Sequence, residues 1–269
     1  MNDVFALTER RHCLTYTKLD CAAVAIYGRR PSLREPSARA EASLYACNLA
    51  RQCGIKKTAR TVVLVPPTER SHLCFGKIGT RDHVAAETHN DSEYDVVFAD
   101  GWLLNQKAGS GVVLHTRDCP TVVIENRATS EVAVVHAGRP QLSGELTGCG
   151  VLSQAVREIV PDKTNTNDVY AYVTGGIGAR YFSHDRGGME LVLPFAEVYG
   201  EDVLFDARTG ALDIFKVIVR VLTRHGLCES NVVRDDLCSF GTSWLSSKRA
   251  DKPGVNWVVV ARLDRPLAP

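Results

Sequence analysis

The chain has 269 residues, of which 45% are hydrophobic and 23% charged. A fold of this length removes roughly 70% of the extended-chain surface from water, so a large core is available and wholesale disorder is excluded. Lys plus Arg number 32 against 31 for Asp plus Glu, a formal charge of +1 that argues against nucleic acid or an anionic membrane as the main partner.

The N-terminal stretch MNDVFALTERRHCLTY carries charges within its first ten residues and has no apolar signal core. Apolar runs such as Trp257 to Ala261 fall far short of the roughly 20 residues that span a bilayer, so a soluble cytoplasmic protein is expected. The nine cysteines are odd in number, scattered and without a CxxC pair, and read mostly as reduced, small core residues.

In chain order, AAVAIY (22–27) and TVVLV (61–65) are compact, β-branched apolar runs that predict strands. The alanine-rich stretch from Ser37 to Cys53 predicts a helix ending near Gly54, and Pro66 with Pro67 halts the second strand. Residues 76–95, with GTRDH and ETHNDSEYD, read as a polar surface excursion. YDVVFAD then predicts a strand, and GWLLNQKAGSG a turn. Strands are expected at GVVLH (111–115), TVVIE (121–125) and EVAVV (131–135), the last two as a hairpin or adjacent pair.

Val151, Ala155 and Ile159 share one helical face, and Pro161 ends that helix. A strand over 168–174 runs into the GGIG corner. A helix from Leu212 to His225 stops at Gly226, and a last strand covers Asn256 to Leu263. Together these elements predict an α+β (mixed α/β) fold with a mixed β-sheet core. No dinucleotide fingerprint and no phosphate loop of the GxxxxGK type is present.

The most informative residues are TRDC (116–119) and VVHAG (134–138). Cys119 and His136 lie 17 positions apart at opposite ends of a predicted up-and-back strand pair, which can bring both to one rim. A thiolate beside an imidazole either activates a nucleophilic sulfur or binds zinc, while ordinary burial is the plain alternative.

TRDCP followed by a strand and VVHAG resembles the ADCxPV and HAGWRG motifs of the laccase-domain family, also called the multicopper polyphenol oxidase family. Its members include bacterial peptidoglycan-editing factors and zinc-dependent purine nucleoside phosphorylases. Phe98 to Gly101 resembles the family's ADA/ADG element, Thr174 to Gly178 its GPxIG segment, and Asp235 to Ser239 its DxCT element. The resemblance spans about 95–263 and implies a single laccase-domain-like domain over 1–269, most divergent in 1–60. It also implies similarity in fold to the toxin glutamine deamidases.

The resemblance implies zinc held by two histidines and one cysteine. Cys119 and His136 match the second and third ligands. The QxHG motif that carries the first is not intact; His72 is the expected ligand, with His83 and His89 as rivals. Asp118 is expected to position the turn or orient a ligand, and Cys238 to be a structural or rim residue. His115 is expected to satisfy buried backbone, with a place on the rim as the alternative. The implied activity is phosphorolysis or deamination of a purine nucleoside, with a nucleoside and phosphate as small-molecule partners and with Arg117 and Arg139 as candidate anion contacts.

The chain departs from the family pattern in three places. HAGWRG has become His136-Ala137-Gly138-Arg139-Pro140-Gln141, TADC has become TRDC, and FFSYRR has become Trp244 to Arg249. The residues QLSGELTGCG then read as an insertion before the next helix. Two alternatives follow from these changes. One is a cysteine hydrolase or deamidase with Cys119 as nucleophile and His136 as base. The other is a non-catalytic binding or assembly protein that kept the fold. Copper oxidation is not expected, because the eight histidines contain no HxH pair for a multicopper cluster.

Overall fold

The computed structural model describes residues 13–55, 61–65, 75–77, 84–89, 92–104, 108–160, 166–183 and 188–263. Its first strands are β1 (Cys13–Lys18), β2 (Ala22–Arg30), β3 (Thr61–Leu64), β4 (Phe75–Lys77), β5 (Val84–His89), β6 (Ser92–Val97) and β7 (Gly101–Leu104). There follow β8 (Gly111–Thr116), β9 (Thr121–Asn126), β10 (Glu131–His136), β11 (Val169–Thr174), β12 (Leu204–Asp206), β13 (Ala211–Leu212), β14 (Val232–Arg234) and β15 (Val255–Arg262). The α-helices are α1 (Pro36–Gln52), α2 (Arg139–Ser143), α3 (Val151–Ile159), α4 (Leu193–Tyr199) and α5 (Ile214–Arg224).

Two mixed sheets carry the fold. Sheet one runs β1-β2-β15-β8-β3-β6-β5, and sheet two runs β14-β11-β9-β10-β7-β4. The period-2 alternation of each strand divides the core into three layers. Val24, Ile26, Val112, Leu114, Val258 and Val260 of sheet one meet Trp102, Leu104, Val132 and Val134 of sheet two. The outer face of sheet one packs on α1 through Val63, Val113 and Trp257. The outer face of sheet two packs on α3, α4 and α5 through Val122, Ile124, Ala133 and Val135. Strands buried on both faces explain why so many read as unbroken apolar runs rather than alternating ones.

The helix expected between the first two strands is α1, with Pro36 in its first turn, where no intrahelical N–H is required. Its buried residues are mainly alanines, so it lies close to the sheet: a Cβ on Gly111 would sit 2.9 Å from the Ala46 methyl. Asp213 caps α5 by accepting from the Lys216 N–H, and Gly226 beyond it adopts φ 92°, the left-handed conformation expected there. The β9–β10 hairpin forms with Val134 opposite Val123 and His136 opposite Thr121.

Two sequence expectations are corrected. Residues 76–95 are not purely a surface excursion, since they contain β5, which pairs antiparallel with β6, and β6 in turn pairs parallel with β3. YDVVFAD forms β6 as expected, with Tyr94 and Val96 fully buried against the α1 layer, and the polar letters before it hid β5. Likewise GWLLNQKAGSG is not all turn: Gly101 to Leu104 form β7, paired with β10, because Trp102 and Leu104 fill the layer between the sheets. The QLSGELTGCG stretch contributes to α2 and a 3-10 turn over Gly144–Thr147, with Pro140 accommodated in the first turn of α2.

No helix of the described residues is long and apolar enough to cross a membrane.

Candidate active site

The site lies at one end of sheet two. The backbone fixes it in three places: Ala137 N–H donates to Pro120 O at 2.9 Å, His136 N–H to Asp100 O at 2.7 Å, and Ile177 N–H to Asp118 O at 2.9 Å. These bonds extend the β9–β10 ladder by one step and hold the TRDC turn against the Gly175–Gly178 corner. Gly175 and Gly176 adopt φ of 67° and 87°, and a Cβ on Gly176 would come within 2.9 Å of the Pro120 side chain. A residue without a Cβ is what lets the corner close on the turn.

Cys119 and His136 are brought together. The imidazole lies near enough to the Cys119 sulfur to feel its charge, and its Nδ1 lies 3.1 Å from Asp100 Oδ1. With Nδ1 committed to the carboxylate, Nε2 is the nitrogen left for sulfur. Burial pulls the His136 pKa down, but the negative charges of Cys119 and Asp100 and their hydrogen bonds outweigh it, and the value is pushed up to about 10. Asp100 is itself only 2% exposed, and it accepts a second bond from Gln141 Nε2 at 2.8 Å. Gln141 Oε1 is buried without a hydrogen-bond partner, as is the hydroxyl of Thr121 opposite His136 in the ladder.

Asp118 turns away from this pair. It accepts from Ser239 Oγ at 2.7 Å, Ser247 Oγ at 2.6 Å, Lys248 N–H at 2.9 Å and Arg249 N–H at 3.1 Å. It therefore positions the turn, as one of its two expected roles required, while Asp100 orients the histidine. Arg117 donates to Ser246 Oγ, Ser247 O and Lys252 O at 3.3, 3.3 and 2.8 Å, stitching the same loop to the turn. Arg139 opens α2 directly after Gly138 and is half-buried.

Cys238 accepts from Gly178 N–H at 3.2 Å and lines a cavity of about 150 Å³ with Pro120, Ile177, Phe215 and Arg234, which fits a rim residue. His115 accepts from Leu33 N–H at 3.0 Å through Nδ1, satisfying backbone as the first reading expected. Trp244 packs on the layer between the sheets and against Gly28, where no Cβ fits. His72 and His83 lie outside the described residues. His89 ends β5, and its side chain too lies outside what is described.

Asp100 and Gln141 are the participants that sequence reasoning missed. A signal for Asp100 was present, since an acidic residue between an apolar run and GWLL is out of place unless partnered. Gln141 carried none, standing where the family motif has glycine.

The fold family implies a metal at this rim. The donor chemistry fits zinc in two respects: sulfur and imidazole are brought together, and the imidazole gives its other nitrogen to a carboxylate, the usual support of a ligating histidine. Among the described residues, no group of three or more His, Cys, Asp or Glu side chains is placed to hold a metal ion.

Three solved structures share the fold. They are YfiH of Bacillus licheniformis (17% identity, TM-score 0.64, covering 90% of this chain and 93% of that one), protein NMB0706 of Neisseria meningitidis (17%, 0.66, 94% and 100%), and YlmD of Geobacillus stearothermophilus (13%, 0.62, 97% and 100%). No curated protein matches. The model of the multi-copper polyphenol oxidoreductase laccase family matches residues 61–262, which include Asp100, Cys119, His136 and Gln141, and the chain belongs to that family.

Proposed function

We propose that the chain is a zinc-dependent enzyme acting on purine nucleosides, by phosphorolysis or by deamination. The observation that carries this reading is the Cys119–His136–Asp100 constellation, with the thiol near the imidazole and the imidazole oriented by a buried carboxylate. Bound zinc would neutralise an oxygen nucleophile or lower the pKa of bound water. Cys119 and His136 would be two of its ligands and Asp100 their orienting partner, while His72 remains the expected further ligand. In phosphorolysis, a phosphate oxygen attacks C1′ as the bond to the purine breaks. Arg139, at the mouth of α2 beside the site, is then the cation we place at the phosphate. In deamination, water replaces the amino group of adenosine and ammonia leaves.

The same geometry favours a second reading, in which Cys119 attacks an amide or thioester carbon and His136 transfers the proton to the leaving group. Here Asp100 holds the imidazole in the required orientation, as the third member of a Cys-His-Asp set.

Metal analysis of untagged protein, together with a purine-nucleoside panel run with and without phosphate, separates these readings. The expected result is near-stoichiometric zinc, lost in Cys119→Ala and His136→Ala, with turnover of at least one nucleoside. Phosphate-dependent release of base identifies phosphorolysis, and phosphate-independent ammonia identifies deamination. Full retention of zinc by both variants would overturn the ligand assignment. Metal-free protein that is inactivated by a thiol reagent and cleaves amides would favour the cysteine hydrolase. No turnover at all would leave the non-catalytic binding or assembly role.

A further inference from the structure

We propose that Gln141 lends its side-chain oxygen as an additional donor to a metal ion held by Cys119 and His136. This inference rests on the metal-site part of the reading above and adds a ligand at the position where this chain departs from the HAGWRG pattern.

Asp100 Oδ1 is shared by two side chains, His136 through Nδ1 at 3.1 Å and Gln141 through Nε2 at 2.8 Å. An ionised carboxylate only accepts, so the Gln141 amide must turn its N–H toward Asp100. Its Oε1 is thereby forced to the opposite side, which is the side of the sulfur. The Cys119 Sγ and the Gln141 Oε1 each come within 2.6 Å of the point a Gly138 Cβ would occupy. Imidazole and carboxamide thus share one carboxylate, and the carboxamide oxygen lies beside the sulfur.

The oxygen at the end of this arrangement is buried and has no hydrogen-bond partner. A buried carbonyl with neither a proton donor nor a cation is unfavourable, and such orphans call for an explanation. A cation beside Sγ and Oε1 and held also by His136 would satisfy it. Each of the two partners of Asp100 would then have its inner atom on the metal and its outer atom on the carboxylate, the arrangement that raises the basicity of a ligand and fixes its direction. Gly138 is part of the same construction, since any side chain there would fill the space between sulfur and amide. Carboxamide oxygen is also an accepted weak ligand beside Cys and His donors.

Cobalt binding tests this without reference to activity. Apo-protein would be titrated with Co²⁺ and then Zn²⁺ for the wild type, Gln141→Leu and Gln141→Glu, following the sulfur-to-cobalt charge-transfer band and the d–d bands. Glutamate keeps an oxygen at the metal but cannot donate to Asp100, whereas leucine removes both functions. If Oε1 is a ligand, Gln141→Leu weakens cobalt binding about tenfold or more and shifts the d–d bands, while the charge-transfer band of Cys119 persists. Gln141→Glu stays near the wild-type affinity. Equal weakening in both variants would assign the amide to Asp100 alone and overturn the proposal. Wild-type affinity in Gln141→Leu would overturn it too, and leave the metal site standing. Failure of the wild type to bind cobalt would remove both the metal reading and this one. Should Gln141→Leu not fold, Gln141→Glu decides by itself: retained affinity and bands support ligation, and a tenfold loss refutes it.

Discussion

His115 and His136 stand at comparable depths in the two sheets, yet their charge states are driven in opposite directions. His115, on β8, uses Nδ1 to accept from the Leu33 backbone. Burial, the positive charge of His136 and that of Arg34 push its pKa down to about 4. His136, on β10, is opposed by the same burial but faces Cys119 and Asp100, and its pKa rises to about 10. Burial is common to both; the sign of the neighbouring charge and the direction of the hydrogen bond decide the outcome. One imidazole becomes a neutral structural acceptor, and the other is held ready beside a thiol.

The strongest way to break this contrast is to remove the carboxylate. Asp100→Ala would leave His136 and Gln141 buried without their acceptor. We expect a stability loss of about 3–5 kcal/mol in urea unfolding and a fall of about 10–100-fold in zinc affinity by chelator competition. If both quantities stay at wild-type values, Asp100 does not orient the histidine.

The next largest effect is acid sensitivity. The native pKa of His115 lies below its unfolded value of 6.5, so the unfolded chain takes the proton first as pH falls. Stability should therefore decline from about pH 6.5 toward pH 4, by up to about 3 kcal/mol, and this slope should flatten in His115→Gln. His136 carries the opposite sign. Its native pKa lies above 6.5, so its contribution is complete below that pH and is lost as pH rises through about 10. His136→Gln should flatten only the alkaline side, and the pair of unfolding profiles checks both assignments.

A smaller effect is expected from Gly138→Ala. The glycine has φ −71° and ψ 165°, which alanine adopts freely, so the cost is purely steric. A Cβ set 2.6 Å from Cys119 Sγ forces a shift that should cost about 1–3 kcal/mol and slow alkylation of Cys119. Smallest of all, Cys238→Ser replaces an acceptor of the Gly178 N–H with another acceptor. It should change stability by less than about 1 kcal/mol and leave zinc content unaltered, which keeps the metal chemistry with Cys119.

Much of the fold was legible because its strands are buried on both faces and read as apolar runs. The runs at 22–27, 61–65, 111–115 and 121–125 each found a strand. Strand β6 was legible in YDVVFAD, whereas β5 was missed because VAAETH sits in a polar stretch and finds its partner only in β6. Strand β7 was missed because glycine precedes it and polar residues follow, a local composition that favours a turn when no partner strand is in view. Cys119 and His136 were visible because a hairpin converts chain separation into proximity in a way that can be counted. Asp100, immediately before a neighbouring strand, and Gln141, on a helix after the hairpin, were not, since nothing local says which side chains will face them.

The sequence by itself determined most of the buried strands, that TRDC and VVHAG cap two of them, and to which family the motifs are similar, because these follow from short-range periodicity and turn chemistry. Only the tertiary structure decided that β7 brings Asp100 to His136, that Asp118 serves the 239–249 loop instead, and that Gln141 turns its oxygen toward the sulfur. Those outcomes depend on which buried donor finds which buried acceptor across the sheets, and such pairing is fixed by packing rather than by any residue's own preference.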